Sequence, residues 1–172
     1  MKISFIIPRW PKDSFWDVIA FKFPLLSTSL LAGLTPSHHQ IRIVDESLSE
    51  IDFNQEVDLV AVTAITPLAP RGYEIADEFR RRGKKVVIGG IHASWLPDEA
   101  KAHSDSVAIG EADETWVEML EDAEKGTIKP FYRQKERTDL SRLPIPRRNL
   151  FPPKGYLFHN LIQTTRGCRF CR

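Results

Sequence analysis

Cys168 and Cys171 stand two residues apart in the stretch TTRGCRFCR, among basic side chains, and the chain of 172 residues has just these 2 cysteines. Thiolates at that spacing can hold a metal together, but they supply half of a tetrahedral shell, so further ligands must come from elsewhere. Other ligand-binding residue types collect in short segments that each follow an apolar run: Arg9 and Trp10; Thr63 and Thr66; Gly89, Gly90 and His92; Gly110 and Glu111. Gly89 and Gly90 either let a bulky ligand approach the backbone or serve a tight turn that needs glycine for its geometry. His92 is either a hydrogen-bonding group for that ligand or a polar residue at a loop edge. Thr63 and Thr66 carry hydroxyls suited to a ligand's amides or ribose, and threonine is also common in strands. No pairing of nucleophile and base is readable from spacing, so this set points to binding rather than to catalysis.

The elements that must position these residues are legible in the hydropathy pattern. The runs ISFII (3–7), IRIV (41–44), LVAVTA (59–64), KVVIGG (85–90) and SVAIGE (106–111) are apolar on consecutive positions, as strands buried on both faces are. Amphipathic segments over 23–34, 70–83 and 112–126 lie between or after them, the last two closing on Gly83 and Gly126 as helix C-caps. This alternation predicts an α/β fold, a flavodoxin-like parallel sheet of five strands in the order 2-1-3-4-5 with helices on both faces. In such a sheet the ligand lies outside the carboxyl ends of the strands, where the segments above are placed. After Gly126 the texture becomes proline-rich and aperiodic, predicting a domain over 1–126, a linker or extension over 127–160, and the start of another unit over 161–172.

The bulk composition excludes several classes. A formal charge of +1 gives no general reason to expect nucleic acid as a partner. No run approaches the roughly 20 apolar residues of a membrane span, and Pro8 and Arg9 end the first apolar run too early for a secretory signal. The body of the chain has no cysteine for a disulfide, which suits a cytoplasmic location. Neither GxGxxG after the first strand nor GxxxxGK[ST] is present, so dinucleotide and P-loop sites of those kinds are not expected. His38, His39, His103 and His159 fall away from the strand ends, and surface roles are expected for each.

VVIGGIHASWLPDEA, DSVAIGEADETW, the proline-rich stretch and the terminal TTRGC together resemble the N-terminal half of cobalamin-dependent radical S-adenosylmethionine (SAM) enzymes, over essentially the whole chain. The resemblance implies a cobalamin-binding domain and then the first residues of a radical SAM barrel. Gly89 and Gly90 match that family's Gly-Gly after the fourth strand, and Thr63-Ala64-Ile65 is a conservative version of its Ser-x-Leu after the third. The DxHxxG of the first loop is missing, so the resemblance leaves Arg9, Trp10 or water beneath the cobalt rather than an imidazole. The family implies cobalamin for this chain, and a 4Fe–4S cluster with SAM in the longer protein, mostly for methyl transfer.

The cysteines depart from that pattern. A radical SAM cluster takes three thiolates spaced C-x-x-x-C-x-x-C, and the residue four before Cys168 is Thr164. The chain is therefore expected to assemble no such cluster alone, leaving Cys168 and Cys171 exposed. Two other readings stand beside this one: a flavodoxin-like regulatory or interaction module without cobalamin, and a small metal protein using the two cysteines as half a zinc site.

Overall fold

The computed structural model describes residues 1–19, 23–158 and 160–166; His159, Cys168 and Cys171 lie outside them. Its centre is a sheet in the order β2-β1-β3-β4-β5-β6, every neighbouring pair parallel. The strands are β1 (Lys2–Ile7), β2 (Gln40–Asp45), β3 (Leu59–Thr63), β4 (Lys85–Gly89), β5 (Ser106–Ile109) and β6 (Phe131–Arg133). The helices are α1 (Phe15–Ile19), α2 (Leu26–Leu34), α3 (Ala69–Arg81), α4 (Ile91–Trp95), α5 (Pro97–Ala102) and α6 (Trp116–Glu124).

The order 2-1-3-4-5 expected for the first five strands is the observed one, but the sheet has six strands rather than five. The sixth comes from the stretch expected to be linker. β6 is only 3 residues long, buries Tyr132 alone, and is too short to show a hydropathy period. It is held by pairing with β5, Ala108 opposite Tyr132.

Side chains alternate between two apolar layers. On one face Phe5, Ala61, Val87 and Ala108 meet Trp116, Met119 and Leu120 of α6 and Ala32 of α2. Phe5 and Trp116 pack with ring centroids 5.2 Å apart, and the indole N–H donates to Thr35 Oγ1 at 2.8 Å. On the other face Ile6, Val60, Val62, Val86, Ile88 and Val107 cover Ile75, Ala76 and Phe79 of α3. α3 ends as its sequence indicates, with Gly83 at φ +75 and its N–H donating to Arg80 O at 2.9 Å. No described helix is long and apolar enough to cross a membrane.

The segment after β6 wraps the first face rather than leading away. Pro144 and Ile145 lie over Gly33, where an added Cβ would meet Ile145 O at 3.0 Å. Arg147 N–H donates to Ser29 O at 2.9 Å, and Phe151 and Tyr156 are buried in the same core layer. The expectation of a surface role for His39 is corrected: its side chain is 1% exposed. Burial, then the neighbouring terminal ammonium, holds its imidazole below the usual histidine range. Neighbouring His38 is exposed, and His103 stacks on Tyr73 with centroids 4.3 Å apart.

Tyr132 gives a direct check on β6. Its hydroxyl donates to Asp122 Oδ2 at 2.6 Å and accepts from Lys129 N–H at 3.0 Å. Burial, then the Asp122 hydrogen bond, pushes its pKa from 10.0 up to about 12. A pKa raised in the folded state means stability fully present below pH 10.0 and lost as pH rises through about 12. Tyr132→Phe is expected to cost about 1–2 kcal/mol at neutral pH. Urea titrations at pH 8 and pH 11 should show a gap between the two proteins that narrows at the higher pH.

Candidate functional site

The carboxyl ends of β1, β3, β4 and β5 open into one cleft of about 1520 Å³. Its floor is the small-residue part of the first face: Ala61, Gly89 and Ala108, flanked by Phe5 and Val87. A Cβ added at Gly89 would rest on Ala108 Cβ at 3.4 Å, which is ordinary contact, so the missing side chain leaves depth in the floor. α2 and residues 133–138 contribute the walls.

The glycine pair divides into two roles. Gly90 sits at φ +99, and a Cβ there would come within 2.7 Å of Ala64 O and 2.9 Å of Thr63 Oγ1. Its glycine is thus required by the turn from β4 into α4, whereas Gly89 bears on the space above the sheet. Ser94 locks this turn to the next one: its hydroxyl donates to Gly90 O at 2.9 Å and accepts from Gly110 N–H at 3.0 Å.

The cleft brings together Arg9, Trp10, Thr63, Ala64, Gly89, Gly90, Gly110 and Glu111 of the residues expected from sequence. Arg9 is tethered through its backbone N–H, which donates to Glu46 Oε2 at 3.2 Å, with its guanidinium Nε 3.7 Å from Glu46 Oε1. Trp10 stacks on Trp16 with centroids 5.7 Å apart, making an aromatic bank at the mouth. Trp95 faces the cleft from α4 and is 65% exposed. His92 and Thr66 do not line it. They bond each other, Nδ1 to Oγ1 at 3.2 Å, and His92 Nε2 lies 3.2 Å from Glu99 Oε1. The bond from His92, then one from Tyr73, holds the Glu99 carboxyl below its usual range.

Three features escape sequence reasoning. Thr28 of α2 lines the cleft at 2% exposure, and its hydroxyl has no hydrogen-bond partner among the described residues. A buried hydroxyl in that condition is costly unless something bonds it. Asp45 is the second: at the end of β2 it accepts from Ser47 N–H at 2.9 Å and from the Tyr156 hydroxyl at 2.9 Å. Burial, then the Asp45 charge, pushes the Tyr156 pKa well above its ordinary value. The third is a buried ion pair. Arg166, 4% exposed, meets Asp113, 1% exposed, through Nε to Oδ2 and through Nη2 to Oδ1 at 2.7 Å. Burial works against the guanidinium's charge, yet the bonds from Asp113 keep its pKa above the ordinary value. Asp113 Oδ2 also accepts from Thr138 Oγ1 at 2.8 Å, so both returning segments are tied at one carboxylate. Of the three, Asp45 and Asp113 carried a signal, their places in the DE and GEAD turns after β2 and β5.

The chain is 44% identical over 112 residues to bacteriochlorophyllide d C-8(2)-methyltransferase of Chlorobaculum tepidum, covering 64% of this chain and 25% of that protein. It is 31% identical over 168 residues to the bacteriochlorophyllide d C-12(1)-methyltransferase of the same organism, covering 94% and 36%. The chain is similar to methyltransferases. An uncharacterised methyltransferase of Synechocystis sp. is 27% identical over 182 residues, covering 99% of this chain and 33% of the relative. The chain thus spans about a quarter to a third of the length of these relatives. No protein-family model matches it.

Proposed function

We propose that this chain holds cobalamin in the cleft, as the cofactor-binding part of a longer radical SAM methyltransferase. The observation that carries the reading is the floor of Ala61, Gly89 and Ala108 beneath a cleft of about 1520 Å³, a cradle that a larger side chain would fill. The buried, unpartnered Thr28 hydroxyl lies in the α2 wall of the cleft, a hydrogen-bonding group that a large polar ligand would satisfy after a small local shift. Thr63 and the backbone around Gly90 and Gly110 offer polar groups at the rim, and Trp10 and Trp95 offer flat apolar area for a macrocycle. When bound, cobalamin supplies a cobalt centre able to carry a methyl group. The chain's own work is to bind, orient and shield that group from water.

None of the described cleft-lining residues is histidine, and His92 is engaged with Thr66 and Glu99 instead. Arg9, Trp10 or water would take the role left by that absence. For the longer protein, the relatives' names favour a bacteriochlorophyllide as methyl acceptor. Cys168 and Cys171 would contribute to an iron–sulfur cluster only together with residues this chain lacks in that spacing.

The test is a titration with hydroxocobalamin followed by absorbance and gel filtration. A saturable spectrum that comigrates with the protein supports the proposal; free cobalamin at every ratio rejects it in favour of an interaction module. In the Co(II) state, the paramagnetic resonance spectrum should lack nitrogen hyperfine structure from a protein imidazole. Its appearance, removed by His92→Ala, would overturn the assignment of the cobalt face.

A further inference from the structure

At the opposite end of the sheet from the cleft, the turn before β2 and the end of α6 bring three metal-ligating side chains together. His38 Nε2 lies 3.4 Å from Glu124 Oε1, and His39 Nδ1 lies 3.7 Å from the same oxygen. The three ligand atoms fall within 4.8 Å of one another, and no other such trio occurs among the described residues. Ligands held about 2.0–2.1 Å from a tetrahedral ion stand roughly 3.3–3.4 Å apart along each edge. The His38 distance to Glu124 matches such an edge, and the His39 distance is a few tenths of an ångström longer.

Two further observations favour a cation there. Glu124 occupies the last turn of α6, at the negative end of the helix dipole, and that turn has no basic side chain. Lys125 and Lys129 reach Glu121 and Asp122 instead, leaving Glu124 facing the two imidazoles. The Met1 nitrogen approaches His39 Nδ1 at 3.1 Å. That contact occupies the Nδ1 lone pair while the terminal amine is protonated, so a metal at Nδ1 must displace the ammonium or bind once the amine has lost its proton.

We propose that His38, His39 and Glu124 form a site for a divalent transition metal of the zinc class, clipping the α2–β2 turn to the end of α6. Two imidazoles and one carboxylate suit zinc and its neighbours rather than magnesium or calcium, which prefer oxygen alone. Water or another small donor completes the shell. The site is remote from the cleft, so it stands whether or not cobalamin binds.

The experiment uses the untagged chain with Cys168→Ser and Cys171→Ser, so that thiolates cannot capture the metal. Zinc chloride is titrated by calorimetry, with magnesium chloride as control. Expected is a saturable isotherm of one zinc per chain, no response to magnesium, and a zinc-dependent rise in melting temperature. His38→Ala and Glu124→Ala, both at exposed positions, should each weaken zinc by about tenfold or more. His103→Ala, beside Asp77, should leave it unchanged. Absence of saturable zinc binding overturns the proposal, and so does an isotherm that His38→Ala and Glu124→Ala leave intact.

Discussion

Gly89→Leu will leave the fold standing and weaken hydroxocobalamin binding by roughly tenfold or more, a loss of at least about 1.4 kcal/mol. Gly89 ends β4 with no positive φ, and its Cβ position meets nothing closer than Ala108 Cβ at 3.4 Å. A leucine there is sterically admissible at its base, and its branch then occupies the depth of the floor. Gly90→Ala is the contrasting variant. Its added methyl must sit 2.7 Å from Ala64 O, at φ +99 and ψ 180. That region is nearly closed to residues with a Cβ, at a cost of about 1–3 kcal/mol. Gly90→Ala should therefore lower the melting temperature, while Gly89→Leu changes it little. Equal affinity for hydroxocobalamin in wild type and Gly89→Leu, measured by absorbance, would remove Gly89 from the site. A fully stable Gly90→Ala would contradict the turn assigned to it.

Arg166→Met should be the most destabilising single change near the cleft. It removes the guanidinium but keeps a side chain of similar reach, leaving Asp113 charged at 1% exposure with Thr138 as its remaining hydrogen-bond partner among the described residues. Breaking one side of a buried pair costs about 3–5 kcal/mol where the abandoned charge stays dry. The returning segment can lift and admit water, which limits the loss. Two measurements separate these outcomes. Denaturant titration reads the global cost, and limited proteolysis after residue 138 reads lifting of the segment. Asp113→Asn with Arg166→Met should recover part of the loss, because no isolated charge is then buried. If Arg166→Met unfolds at the wild-type denaturant concentration and resists protease equally, the pair contributes nothing to closing the cleft.

Local information determined much of this protein. Short, β-branched-rich apolar runs in 3–7, 59–64 and 85–90 read as strands covered on both faces, and their alternation with amphipathic segments points to a parallel sheet. Gly83 and Gly126 marked the ends of α3 and α6 because a left-handed residue is needed where a helix stops, at φ +75 and +72. The position of the Gly89–Gly90 turn followed from the same rules, since strand ends in such sheets face one edge. The division of labour between those glycines did not follow, because it depends on Ala64, just after β3, and on Ala108 of β5. Only tertiary structure decided β6, whose three residues show no period and gain their conformation from β5. His39 is buried by α6 and the chain start, although its neighbours in sequence are polar and exposed. Arg166 and Asp113 are 53 residues apart, and their pairing depends on an aperiodic segment turning back over α2. Hydropathy patterns report which face of an element is covered; they carry no record of which distant charge covers it.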